Sequence, residues 1–196
     1  MGSQWSRDKV YIRAKHEGYR SRASYKLIEI QNKFAVIRRD DNIVDLGAAP
    51  GSWLQVLRTL TDGTVIGIDL NPIAPMDGVV TLEGDLTDPE IREQVRTMLG
   101  QANVVVSDAS PRLSGHKSYD QARSATLVEE ALGFACSVLK PGGNFVAKTF
   151  QGADLPGLLA MMQENFHSVR TYHTKSTRKG STELYLIARN FKGHMR

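Results

Sequence analysis

Apolar residues recur along this chain at two spacings, and the spacing changes at glycine, proline and aspartate. Residues 21–37, SRASYKLIEIQNKFAVI, place Leu27, Ile30, Phe34 and Ile37 on one helical face, with Lys26 off that stripe and directed elsewhere. The runs IVDL (43–46), GTVIGIDL (63–70), GVVTLEGDL (78–86) and ANVVVSDASP (102–111) read as strands, as does NFVAKTF (144–150) after a KPGG turn. Between them, Trp53, Leu54 and Leu57 recur at helical spacing. Asp88-Pro89 starts a helix that runs to Leu99 and stops at Gly100. Further helices are expected from Asp120 to Leu139 and over 154–165. Two successive strands, SVRTYHT and ELYLIAR, close the chain around the loop KSTRKGST. Strand–helix alternation followed by two adjacent strands predicts an α/β fold: a seven-stranded, mostly parallel sheet with helices on both faces and one antiparallel hairpin at an edge.

The break in IVDLGAAPGSWLQVL, residues 43–57, comes at the carboxyl end of the first strand, where open parallel sheets hold ligands against backbone. A dinucleotide site asks for G-x-G-x-x-G; here Gly47 fills the first position, but Ala49 and Ser52 fill the others. What accompanies the turn is a series of acids. Asp45, Asp69, Asp85 and Asp108 each fall at or just beyond a strand end, and these ends gather at one edge. Four carboxylates repel a pyrophosphate and suit a cationic ligand with several hydroxyl or amino donors. S-adenosylmethionine, with its sulfonium, ammonium, ribose diol and adenine amine, fits that description. Asp69 is placed for the ribose hydroxyls and Asp85 for the adenine, while Gly47 and Gly51 admit the methionine portion close to backbone. Trp53 either packs on the cofactor or sits in the helix core.

Charge adds a partner. The net charge is +4, unevenly spread. Residues 1–26 carry seven Lys/Arg against two acids, residues 170–196 seven against one, and the stretch between is acidic. Basic ends interleaved with Tyr11, Tyr19, Tyr25 and Tyr172 form a polyanion footprint. Arg7, Lys9, Arg13, Lys15, Arg20 and Arg22 make one candidate strip, and Lys175, Arg178 and Lys179 another. Arg112 and Lys117 lie in a loop able to close over a nucleotide. A chain of 196 residues fits one domain, with residues 1–26 as its basic nucleic-acid-contacting segment. No run approaches the roughly 20 apolar residues that span a bilayer. The amino terminus lacks a signal-peptide core, and the lone Cys136 suits a reducing cytoplasm. The histidines show no ligand spacing, so no metal is expected.

The motifs VDLGAAPGSW, VIGIDL, GDLTD, SDASPRLSG, VAKTFQG and STELYLIAR, with SRASYKLIEI before them, closely resemble the FtsJ/RrmJ ribose 2′-O-methyltransferases over nearly the whole chain. The resemblance implies a Rossmann-like fold that uses S-adenosylmethionine and acts on a uridine of 23S, large-subunit ribosomal RNA, free or in the 50S subunit. It also implies a Lys-Asp-Lys-Glu tetrad, here Lys26, Asp108, Lys148 and Glu183, and cofactor contacts at Gly51, Trp53, Asp69, Asp85 and Asp108. The chain then looks like the catalytic domain alone, working as a cytoplasmic monomer.

Methyl transfer to a hydroxyl needs positioning and a base. Lys148, at the end of its strand, is assigned as that base, with desolvation and the like charge of Lys26 expected to favour its neutral form. Asp108 orients it; Lys26 and Glu183 support. Competing readings are a transfer RNA 2′-O-methyltransferase, a small-molecule O-methyltransferase, a non-catalytic ribosome assembly factor and, least compatible with the glycines, a dinucleotide oxidoreductase.

Overall fold

The computed structural model describes residues 9–112, 114–178 and 180–193, with backbone alone at 9 and 10. Its helices are α1 (Lys9–His16), α2 (Ser24–Phe34), α3 (Ser52–Leu60), α4 (Pro89–Leu99), α5 (Lys117–Val138) and α6 (Leu155–Asn165). Its strands are β1 (Ile43–Leu46), β2 (Val65–Asp69), β3 (Val79–Glu83), β4 (Ala102–Ser107), β5 (Leu139–Phe150), β6 (Phe166–Tyr172) and β7 (Glu183–Phe191). They form one sheet in the order β3-β2-β1-β4-β5-β7-β6. The first five strands pair in parallel, whereas β7 is antiparallel to both β5 and β6. This is the expected Rossmann-like sheet with an antiparallel edge hairpin.

Alternation along the strands sends side chains into two cores. Val44, Leu46, Val105 and Phe145 join the layer packed by α5 and α6. Ile43, Val104, Val106, Val146, Tyr185 and Ile187 join the layer packed by α2 and α3. The site develops on this second face.

Local chemistry moves several boundaries. The helix expected over 21–37 ends at Phe34, where Ala35 turns left-handed at φ 48°. Gln31 is responsible: its amide donates to the Ile37 carbonyl at 2.8 Å and accepts the Ile37 N–H at 3.0 Å. Ile37 therefore reaches the core from outside the helix. The KPGG turn lies inside β5, as a register shift opposite Ala102–Val104. Helix α5 starts three residues early, because Asp120 folds its carboxylate back to accept the N–H groups of Ser114 and Gly115 at 2.8 and 3.1 Å. Helix α1 was not expected at all. At α4 the capping expectation holds, with the Asp88 carboxylate accepting the Glu90 N–H at 2.8 Å. Asp88→Ala should lower stability by about 1 kcal/mol, read from urea unfolding.

Candidate active site

Register brings the predicted residues together. Asp45 lies level with Gly67 on β2 and Val106 on β4. Residues two apart share a face, so Asp69 and Asp108 follow on the face that carries Asp45, nearer the strand tips. Lys148 stands one step beyond the Ser107–Ala147 rung, opposite Tyr185 on β7, and Glu183 precedes Tyr185 by two. Strand parity alone therefore collects Asp45, Asp69, Asp108, Lys148, Tyr185 and Glu183 on the face covered by α2 and α3. Helix α2 supplies Lys26 from above.

The tetrad residues form two ion pairs. The Lys148 amine donates to the Asp108 main-chain oxygen at 2.7 Å and sits 3.3 Å from its Oδ1. The Lys26 amine lies 2.6 Å from Glu183 Oε1. Each lysine thus faces a carboxylate, where the sequence suggested that the charge of Lys26 acts on Lys148. Thr177 donates to the same Glu183 oxygen at 3.0 Å. Both lysines are almost buried, so their heads are held in one geometry. Tyr185 ties the pairs together. Its hydroxyl donates to Asp108 Oδ1 at 2.7 Å, and its ring lies 5.8 Å beneath the Lys26 amine. Burial, reinforced by the charges of Asp108 and Glu183, pushes the phenol well above its ordinary range, so it stays a donor. Sequence reasoning missed Tyr185; its place two residues after Glu183, a polar tip on an apolar strand, was the available signal.

Beside this cluster the glycine turn opens. Gly47 has φ 73°, and a Cβ there would lie 2.6 Å from that of Ala109, so the β1 and β4 loops meet at a glycine. Gly51, with φ 101°, begins α3, and a Cβ would strike Arg20 Nη1 at 2.5 Å. That guanidinium clasps three carbonyls, those of Pro50, Ala74 and Pro75 at 2.9, 2.8 and 3.1 Å. Arg20, expected on a nucleic-acid strip, instead fastens the β2–β3 loop to the glycine turn. Asp69 accepts the Ala49 N–H at 3.0 Å through Oδ2 and Asn71 through Oδ1. Asp85 is exposed in the turn after β3, held by Thr87.

Other expected contacts take different places. The Trp53 indole is 2% exposed, donates to the Ala23 carbonyl at 2.8 Å and packs 5.9 Å from the Tyr185 ring. Its side chain packs in the core behind the site. Arg22 donates to the Ser176 carbonyl at 3.0 Å and steadies the loop before Glu183. Arg13 pairs with Glu17 at 2.7 Å and lies over the Tyr25 ring. Lys15, Arg112, Lys117, Lys175 and Arg178 are exposed. Arg7, Lys179 and the side chain of Lys9 lie outside the described residues.

Asp45 has no match elsewhere in the site. It is 1% exposed, and neither carboxyl oxygen has a hydrogen-bond partner. Burial first, then the charges of Asp108 and Asp69, hold its carboxyl well above the usual carboxylate range. An orphaned acid beside two others is the donor set for a cation bearing hydrogen-bond donors, and the reverse of a phosphate cradle. Among the described residues, no group of three or more His, Cys, Asp or Glu could hold a metal, and no helix is long and apolar enough to cross a membrane.

A family model described as FtsJ-like methyltransferase matches residues 19–191, and the chain belongs to that family. "Ribosomal RNA large subunit methyltransferase E" of Methanoregula boonei is 76% identical over 98% of this chain and 100% of its own length. The protein of the same name from Methanoculleus marisnigri is 64% identical over 98% and 96%. Among solved structures, a Plasmodium falciparum protein described as a ribosomal RNA methyltransferase superposes with a TM-score of 0.81 at 29% identity, covering 90% of this chain and all of that one.

Two outcomes follow from the geometry. Tyr185→Phe removes a donor from the Asp108 carboxylate and should lower stability by about 1–3 kcal/mol, measured by urea unfolding. Asp45 holds its proton to higher pH in the fold than in the unfolded chain. It therefore has no effect below the ordinary carboxylate range and destabilises progressively as pH rises above it. Asp45→Asn should raise the thermal midpoint at neutral pH, with the gain vanishing below about pH 4; a pH-independent difference would contradict this.

Proposed function

We propose that this chain transfers a methyl group from S-adenosylmethionine to a ribose 2′-hydroxyl of a uridine in 23S, large-subunit ribosomal RNA, with Lys148 as general base. The observation that carries the reading is the Lys148 amine, fixed by both the backbone and the carboxylate of Asp108 on the face where the acidic strand tips converge. The FtsJ-like family and the names of the relatives support the substrate.

Asp45, Asp69 and Asp85 would hold the cofactor, with Gly47 and Gly51 allowing backbone approach and Asp108 bordering the methyl. When bound, S-adenosylmethionine supplies a methyl group already activated by a positive sulfur. The protein's own task is to place the hydroxyl in line and remove its proton. Lys148 would take the 2′-hydroxyl proton as the ribose oxygen gains the methyl carbon, the carbon–sulfur bond of the donor giving its electron pair to sulfur and leaving a neutral thioether. Asp108 fixes the amine, and Tyr185, donating to the same Oδ1, holds the carboxylate in place. The Lys26–Glu183 pair carries a positioned cation toward the target nucleotide's phosphate or hydroxyl, while Glu183 and Thr177 set its direction. All four residues come from one chain, so a monomer suffices. The half-buried Cys136 thiol, pushed up to about 11 by burial, is a poor nucleophile.

Transfer of labelled methyl to large subunits, naked ribosomal RNA and transfer RNA, followed by nucleoside analysis, tests the reading. Label should enter the ribose of a ribosomal uridine. Lys148→Ala should reduce single-turnover methylation by about 10²–10⁴-fold while retaining cofactor binding. Label on a base, or near-normal turnover by the variant, would contradict it.

A further inference from the structure

A surface cavity of about 340 Å³ lies away from the catalytic crevice, lined by Lys33, Phe34, Ser168, Arg170, Ile187 and Arg189. Parity explains its composition. Arg170 pairs with Ile187 and Ser168 with Arg189 across β6 and β7, and Tyr172 pairs with Tyr185 two residues further on. All six therefore share the α2 face. Because β6 is the edge strand, α2 meets this hairpin only along one side, and the cavity is the step left between helix and edge.

Three exposed cations surround it. Arg189 donates to the Phe34 carbonyl at 3.1 Å, capping the end of α2 and leaving the rest of its guanidinium outward. The Lys33 amine lies 4.8 Å over the Tyr172 ring and 5.9 Å over that of Phe34. Among the described residues, no acid is ion-paired with any of the three. The nearest acid on α2, Glu29, is already occupied by the N–H groups of Lys175 and Ser176, at 2.7 and 3.0 Å. Three positive charges beside a hydroxyl and two aromatic rings, without a counter-ion, form a receptor for an anion.

The cavity and the crevice lie along the same face of α2. Lys33 stands two helical turns after Lys26 on the same side of α2, roughly 10 Å along the axis. Tyr172, beneath Lys33, is the rung partner of Tyr185, whose hydroxyl holds Asp108. The loop bearing Lys175 and Arg178 joins the two places. A strand with its ribose at Lys148 and its backbone crossing α2 would pass over these cations.

We propose that Lys33, Arg170 and Arg189 anchor a backbone phosphate of the RNA at the β6–β7 edge, outside the catalytic crevice. This rests on the RNA reading above. The anchor contributes affinity and register, and carries no sequence information, as phosphate contacts do. It touches neither cofactor nor reacting atoms.

The test uses Lys33→Gln/Arg170→Gln, which leaves the Arg189 cap intact, beside a control of equal charge loss, Lys140→Gln/Arg96→Gln. RNA binding without cofactor is measured by filter retention across salt concentrations, and methylation kinetics with saturating S-adenosylmethionine. The anchor variant should raise Kd and KM for RNA about tenfold and flatten the slope of log affinity against log salt by about 0.7, the value for one phosphate contact on a single strand. Its kcat at saturating RNA and its thermal midpoint should match wild type, and the control should shift far less. Unchanged affinity and slope, or an equal shift in the control, would overturn the anchor while wild-type ribose methylation left the function standing. Wild-type protein that binds RNA through this patch without methylating ribose would overturn the function instead. Equal displacement of RNA by polyglutamate from wild type and anchor variant would also overturn the assignment.

Discussion

A lysine amine taken out of water must find acceptors, and at Lys148 both acceptors belong to Asp108. One residue thereby sets the distance of the amine from β4 through its carbonyl and the direction of the amine through its carboxylate. Tyr185 reaches the same carboxylate from β7, so three neighbouring strands, β4, β5 and β7, converge on a single oxygen. Buried groups that share hydrogen bonds in this way have little freedom, and general-base catalysis depends on that restriction. The second pair, Lys26 with Glu183, repeats the device one step further along β7 and ties α2 to the sheet.

The sheet makes this convergence inexpensive in structural terms. No irregular backbone is needed to assemble the acids, because alternate residues on parallel neighbours already face the same way. At the glycine turn, Gly47 and Gly51 take positive φ and let loops approach that any side chain would hold apart. Asp45 is the remaining cost. A carboxyl with no partner beneath two other carboxylates opposes folding of the ligand-free protein, and a bound cation bearing donors would relieve it. Affinity for such a ligand and stability of the fold would thus be linked through one residue.

Much of this was legible in the residue order. The strands over 43–46 and 102–107, the Asp88 cap and the acids at the strand tips each leave a local mark, whether alternation, a capping oxygen or a glycine break. What escaped was set by partners distant in the chain. The pairing of lysines with carboxylates joins residue 26 to 183 and residue 108 to 148, and no local periodicity encodes either. Arg20 looked like a polyanion contact because its carbonyl partners lie 30 and more residues away. Trp53 was ambiguous for the same reason: its neighbours, Ala23 and Tyr185, come from elements on either side. The early end of α2 is an intermediate case. Gln31 competes with the helix through a six-residue loop, a contact visible only once Ile37 is known to be buried.

The central claim is that position 148 supplies a proton acceptor and not merely a positive charge. Lys148→Arg separates the two, since a guanidinium keeps the charge and pairs with a carboxylate but does not release a proton in a protein. Single-turnover methylation by this variant, with its fold confirmed by thermal unfolding, is the most direct measurement. The account predicts loss of methyl transfer comparable to deleting the side chain. Transfer at close to the wild-type rate would contradict it.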